Sequence, residues 1–444
     1  MVMGFVGSAK EKVLLPSRVT NHTDLKTCCR QMFYIPNRGR RMPQVFKEFA
    51  ILFKYKNLLE LCFAVLVSMI GFGLIIPLLP IYGREMGASG VYLGLLTSLF
   101  GATRIITSLP GGVLADKVGR KKLIAGGLFA YTVVMFLFGI STNLYHLLIL
   151  RACQGAASGV VWPVAATMVA DIVEPQDRGK AMGFFSMMWD AGIAVGPVLG
   201  GLLSAGFGIA FPFFVCSALS LMSALLVVLR VKETHAEPEP SEIPIEGLSF
   251  HKRSLIGMCI TGFTVSFALG LVHPILPLFG NEVIGLNEAS IGVIFGAMGA
   301  TRFLVKAPSG ILSDRIGRKK VLITGLAFNG IFTTTMSLSW SFLTLILPSI
   351  ARAVGLGMTM PSMNALVTSL TTKEKRGKVM GIFSASRNLG LVVGPLLGGI
   401  IFDAVSVQAP FLICGLVVFL GASILMMTVK EPENGAMLNS NFSK

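Results

Sequence analysis

The chain has 444 residues, 53% of them hydrophobic and only 14% charged, and its mean hydropathy is +0.74. That balance excludes an ordinary soluble globular protein. The net charge of +16 sits largely in short loops and one tail, so it reads as membrane topology and attraction to anionic lipid heads rather than nucleic-acid binding.

Residues 1–54 are polar and basic and lack the apolar core of a secretory signal, which predicts a flexible cytosolic arm. A transit peptide is the alternative, and Met42 is a second plausible start. Apolar stretches long enough to cross a bilayer core of ~30 Å follow at 58–82, 91–115, 123–141, 145–170, 180–204 and 209–230, making a six-helix bundle over 55–230. Residues 231–253 hold Pro238, Pro240 and Pro244 among five glutamates, as expected of a solvated cytosolic linker. Six more stretches, 254–279, 289–313, 321–339, 342–370, 378–402 and 409–429, make a second bundle over 254–430, and 431–444 is a short cytosolic tail. Each span must be helical, because backbone amides left unpaired in lipid are costly.

Lys117, Arg120, Lys121, Lys122 and Arg178 lie in loops on one side, with Arg315, Arg318, Lys319, Lys320 and Arg376 in their counterparts, whereas the loops opposite offer only Arg84. The basic side is therefore expected to be cytosolic, and an even number of spans puts both termini there, in a multi-pass protein of the plasma membrane. The sequons at Asn21 and Asn441 then escape glycosylation. The seven cysteines show no metal-ligand spacing, and Cys28 and Cys29 beside His22 are a poor site, so neither metal nor cofactor is expected.

The chain is written twice. Gly101, Ala102, Thr103 and Arg104 recur 198 positions later as Gly299, Ala300, Thr301 and Arg302, Pro163 recurs as Pro361, and Pro197 as Pro395. Two equivalent halves can rock about a shared crevice and expose it to each side in turn, so the repeat points to transport. The loop after the second span carries Gly112, Asp116, Gly119, Arg120 and Lys121, and its copy carries Gly310, Asp314, Gly317, Arg318 and Lys319. Glycines permit the reversal and the cations hold the loop in the cytosol. A carboxylate there can also lie against a helix amino terminus of the other half. Asp116 is expected to meet the eleventh span near Arg376 and Gly377, and Asp314 the fifth near Arg178 and Gly179, latching a cytosolic gate; the alternative is that these charges only set topology.

In these loops the sequence resembles the major facilitator superfamily, whose signature G-x-x-x-D-R/K-x-G-R/K-R/K occurs in both halves. The resemblance implies twelve transmembrane helices in two pseudo-symmetric six-helix bundles around a central cavity. Gly192, Gly196, Pro197 and Gly200 in the fifth span, repeated as Gly390, Gly394, Pro395 and Gly398, resemble the pattern of proton-driven antiporters, including multidrug exporters. Physically, glycines four apart give a flat helix face for close packing and the proline bends the axis. Arg151, Gln154 and Gly155 resemble the R-x-x-Q-G motif associated with proton coupling, although the second half has Arg352 where Gln154 repeats. The first span has the G-x-x-x-P-x-L-P pattern of twelve-span drug exporters but no deep acidic residue.

Counting helical rise, Arg104, Arg302, Asp190 and Arg387 fall ~16–18 Å from the basic ends, near the midplane. Charges at that depth need a partner or a wet cavity. The superfamily arrangement implies that Asp190 approaches Arg302 and Lys306. Asp190 is the clear midspan carboxylate and the leading proton carrier, the bland alternative being a fixed ion pair. With Arg151, Lys306 and Arg352 added, cations outnumber it, which favours an anionic or zwitterionic solute. Trp162 and Trp189 offer aromatic surface, or simply pack, and His273 offers a polar group beside Pro274.

These residues predict a secondary transporter, a proton-coupled exporter of small amphiphilic or anionic compounds, whose partners are its solute, protons and the bilayer. An uptake system or uniporter for a metabolite such as an organic acid is the first alternative, and a membrane sensor or scaffold the second. An enzyme is not expected: the sequence has no phosphate loop and no nucleophile with its base. Two halves suffice for a monomer.

Overall fold

The computed structural model describes residues 54–234, 252–371 and 376–429. The tail cysteines, both sequons and most of the linker lie outside them. Twelve transverse helices make up the fold of the described residues: α1 (Lys56–Glu85), α2 (Gly90–Val118), α3 (Arg120–Gly139), α4 (Leu144–Ile172), α5 (Arg178–Phe207), α6 (Phe211–Arg230), α7 (Arg253–Val283), α8 (Glu288–Ile316), α9 (Arg318–Met336), α10 (Phe342–Ser369), α11 (Arg376–Ala404) and α12 (Ala409–Thr428). No strand occurs among the described residues. Eleven of these helices are long and apolar enough to cross a bilayer. The exception, α9, has 19 residues and starts Arg318, Lys319, Lys320, which lowers its mean hydropathy. It is nonetheless the repeat counterpart of α3 and occupies the same place, packing on α10 and α12 as α3 packs on α4 and α6.

Two packs of six result. In the first, α1 lies on α5 and α6, and α2 on α4; in the second, α7 lies on α11 and α12, and α8 on α10. Gly192, Gly196 and Gly200 form the face of α5 that meets α1: a side-chain carbon at any of them would run into the backbone at Met69, Gly73 or Leu74. Gly390, Gly394 and Gly398 do the same for α11 against Phe263, Phe267 and Leu271 of α7. Between the packs, α2 meets α11 and α5 meets α8. There the carbonyl of Pro197 faces Gly292 and that of Pro395 faces Gly94. The sequence motif thus builds two seams at once, glycines inward within each bundle and the proline turn outward to the other bundle.

Helix α1 is broken at Pro77 and α7 at Pro274, each ring removing a backbone donor. Glu85 and Glu282 are 197 positions apart but Gly87 and Gly285, both at positive φ (86° and 76°), are 198 apart. The second half therefore holds one extra residue, and a single π turn at Phe279–Val283 absorbs it without breaking the helix.

The two ends of the molecule differ. Away from the basic loops, the bundles are clamped: Asp403 of α11 accepts hydrogen bonds from the amides of Gly90 (2.9 Å) and Val91 (2.8 Å) at the start of α2. Arg84 of α1 grips Glu282 of α7 with Nε–Oε1 at 2.7 Å and Nη2–Oε2 at 3.3 Å. At the basic end, Asp116 and Asp314 pair with Arg120 and Arg318 of their own halves, and the crevice between the bundles reaches toward this end as far as Ser108, Leu109 and Ser384. This conformation is closed at one end and open at the basic one.

Candidate functional site

Between the bundles lies a cavity of about 880 Å³. Its cationic wall is Arg104 and Arg302, repeat equivalents on α2 and α8, with Arg151 of α4 and Arg387 of α11. Phe72, Phe100 and Trp189 give it aromatic surface, His273 one polar ring, and no carboxylate among the described residues lines it. Four guanidinium groups share a low-dielectric space without a counter-charge in its wall, an arrangement that is costly until an anion or ordered water occupies it.

Local packing fixes these groups. Arg151 donates Nη1 to Gln154 Oε1 at 2.5 Å and Nε to the Leu96 carbonyl at 3.3 Å, and stacks over Phe100 at 4.5 Å; Gln154 in turn donates to the Tyr131 hydroxyl at 2.8 Å. The R-x-x-Q-G spacing thus places arginine and glutamine one turn apart on α4, with α3 supplying the third member. In the other half Tyr131 is replaced by Asn329 and Gln154 by Arg352, whose Nε donates to Asn329 Oδ1 at 3.2 Å. Arg352 is fully buried inside the second bundle and does not line the cavity. Trp162 also lies behind the wall, 8% exposed, its ring edge-on to Trp189 with centroids 5.0 Å apart. His273 stands edge-on to Phe295, centroids 5.3 Å apart. Arg387 sits over Phe383 at 5.8 Å, its Nε buried and without a partner among the described residues.

Asp190 and Lys306 form an ion pair across the α5/α8 seam, Oδ2 to Nζ 2.6 Å, the carboxylate side chain 13% exposed and the lysine 42%. The partner is Lys306, one turn along α8 from Arg302.

At the basic end each loop turns on a glycine at positive φ, Gly119 at 104° and Gly317 at 103°, a region where other residues are strained. Asp116 pairs with Arg120 of its own half at 3.7 Å and Asp314 with Arg318 at 3.2 Å, the two carboxylates being 70% and 66% exposed. Arg120 also pairs with Asp171 at the foot of α4. Glu233 accepts from the Lys121 amide at 3.0 Å, whereas Lys319 Nζ donates to the carbonyls of Met426 (3.0 Å) and Val429 (2.6 Å). Arg178 donates to the Ala170 carbonyl instead of reaching Asp314. In this open conformation, contacts of Asp116 and Asp314 with the opposite bundle are absent among the described residues; the Arg376 side chain lies outside them. Sequence analysis left Arg84 as a lone loop charge and did not single out Asp403; an acid at the end of a span and opposite charges at repeat-related helix ends were the available signals. No cluster of His, Cys, Asp or Glu among the described residues is arranged to hold a metal ion.

Eleven helices long and apolar enough to cross a bilayer, two repeated bundles and a cavity between them define a multi-pass membrane carrier. The family profile of the Major Facilitator Superfamily matches residues 61–257 and 258–441, and the chain belongs to that superfamily as one of its transporters. It is 29% identical over 386 residues to Multidrug resistance protein 2 of Bacillus subtilis (strain 168), covering 84% of this chain and 96% of that one. It is 28% identical over 379 residues to Multidrug resistance protein MdtG of Escherichia coli O9:H4 (strain HS), covering 82% and 92%. Among solved structures, a bacterial homologue of the human lysosomal transporter Spinster, in an inward-facing and occupied conformation, superposes with TM-score 0.71 at 15% identity over 85% of this chain and 97% of that one. A mutant form of the nucleoside transporter NupG does so with TM-score 0.72 at 16% identity over 84% and 100%. At such identities the structures share the fold.

Proposed function

We propose that this transporter exports amphiphilic organic anions by alternating access, driven by proton exchange. The observation that carries the solute class is the cavity wall: four arginines, three aromatic rings and no carboxylate among the described residues. An anionic head relieves the repulsion among the guanidinium groups, while an apolar or aromatic body fits against Phe72, Phe100 and Trp189. The bacterial relatives are named multidrug resistance proteins, which favours varied compounds as solutes, and the resemblance of the glycine–proline motif to that of antiporters favours export. The positive loops favour a cytosolic location for the open end, so that this conformation collects solute from the cytosol.

Asp190 is the proton carrier in this reading. Ionised, it neutralises Lys306; protonated, it releases the lysine and loosens the α5/α8 seam, linking a proton to the rocking of the bundles. The experiment is uptake of a fluorescent aryl sulfonate into inverted proteoliposomes. An acid interior is expected to drive uptake, Arg302→Gln to weaken saturable binding about 10- to 100-fold, and Asp190→Asn to retain solute exchange while losing the response to the pH gradient. Uptake indifferent to the gradient in the unaltered protein would instead mean uniport, and preference for a cationic analogue would refute the anion assignment.

A further inference from the structure

The two seams between the bundles are repeat equivalents but are not closed alike. Ser108, Leu109, Ser384 and Asn388 on the α2/α11 seam stand 198 positions from Lys306, Ala307, Ser186 and Asp190 on the α5/α8 seam. On α5/α8 the cavity wall ends at Trp189, Ile193 and Arg302, and the Lys306–Asp190 bridge at 2.6 Å bolts the helices just beyond it. On α2/α11 the same positions are neutral, and the cavity continues past them: Ser108, Leu109, Ser384 and Asn388 all line it. Ser108 turns its hydroxyl back to the Ile105 carbonyl at 2.8 Å, so it contributes no bridge to α11. Leu109 is 79% exposed and its neighbour Ile106 69%, giving this lip an apolar edge.

Depth decides what the gap faces. Ser108 lies eight residues before Asp116, ~12 Å along the helix from the loop charges, within an apolar layer ~30 Å thick. An opening there meets acyl chains rather than bulk water. Just inside it stand Arg104, one turn along α2 from Ser108, and Arg387, adjacent to Asn388 on α11.

We propose that the α2/α11 seam is a lateral portal by which anions carrying a long apolar tail pass from the leaflet at the basic end directly into the arginine cavity, while the Asp190–Lys306 bridge keeps the opposite seam shut. The head group slides to Arg104 and Arg387 as the tail stays among Ile105, Leu109 and lipid. The proposal rests on the anion reading above. Its chemistry selects amphiphiles with one charged end over compact hydrophilic anions, which reach the same arginines through the open basic mouth.

The test uses proteoliposomes holding a Ser108→Cys/Asn388→Cys variant, assayed before and after bridging the two thiols with a bifunctional maleimide. Two probes are compared by quenching of tryptophan emission: a long-chain alkyl sulfonate delivered in the membrane and its short, water-soluble analogue. Bridging is expected to abolish binding of the long-chain probe and spare the short one. The same bridge across Ser186→Cys/Ala307→Cys on the α5/α8 seam, neither of which lines the cavity, is expected to alter neither. Unchanged access of the long-chain probe, or equal loss of both, overturns the portal and leaves the anion cavity standing. Failure of either sulfonate to bind even the unaltered protein overturns the anion reading and the portal with it.

Discussion

Asp403 caps a helix of the other bundle: its two carboxylate oxygens take the amides of Gly90 and Val91 at 2.9 and 2.8 Å, across 313 and 312 residues of sequence. Those amides are among the unsatisfied donors of any helix start, and the helix dipole adds to the attraction. Because α2 and α11 belong to opposite bundles, the cap exists only while that end is closed, so its energy bears on the conformational equilibrium and not merely on folding. Asp403→Asn keeps the shape and removes the charge. The expected loss of about 1–2 kcal/mol shifts the ratio of closed to open outer ends roughly tenfold. Spin-label distances between Met86 and Val283 measure it; unchanged distance populations would disprove the role.

Arg84 and Glu282 clamp the same end. Their side chains are 40% and 28% exposed, so solvent screening leaves this bidentate pair about 0.5–1 kcal/mol of coupling. Reversing both charges, Arg84→Glu with Glu282→Arg, should recover most of the closed population that either single change loses. Additive losses in the same spin-label assay would show the pair to be incidental.

In the cavity, Arg104→Gln and Arg302→Gln should each weaken binding of an aryl sulfonate about 10- to 100-fold, the loss expected when a charge-assisted hydrogen bond of roughly 1.5–3 kcal/mol disappears. Titration calorimetry in detergent reads this directly. An unaltered dissociation constant for both variants would move the binding site elsewhere.

The glycine face of α5 gives a matched pair. A methyl at Gly196 would collide with the backbone of Gly73, while one at Gly183 on the same helix meets nothing within 4 Å. Gly196→Ala should therefore destabilise the protein by roughly 1–3 kcal/mol, and Gly183→Ala should be neutral or slightly stabilising because alanine favours the helix. Thermal unfolding of the two variants side by side decides it; equal midpoints would contradict the packing.

Much of this was readable in advance. The 198-residue repeat and the run of apolar spans require a two-bundle helical membrane protein, since lipid leaves backbone groups no other satisfactory partner. The midspan placement of Arg104, Arg302, Asp190 and Arg387 followed from helical rise alone. What escaped was rotation about each helix axis: Arg352 and Trp162 face into their bundles, and one turn of displacement separates a wall residue from a core residue. Nor did composition reveal which end is closed, because the sequence encodes both conformations and the inter-bundle contacts of each. The π turn in α7 was hidden for a simpler reason, a one-residue slip in the repeat between Glu282 and Gly285 that only alignment of both loops exposes.

The edge-on pair of Trp162 and Trp189 makes the molecule its own optical gauge. The chain has three tryptophans, and the third, Trp340, is 77% exposed. With Trp340 replaced by phenylalanine, all remaining indole emission would come from one coupled pair whose outer ring forms the cavity wall, so occupancy would be visible as a change in light with no dye attached.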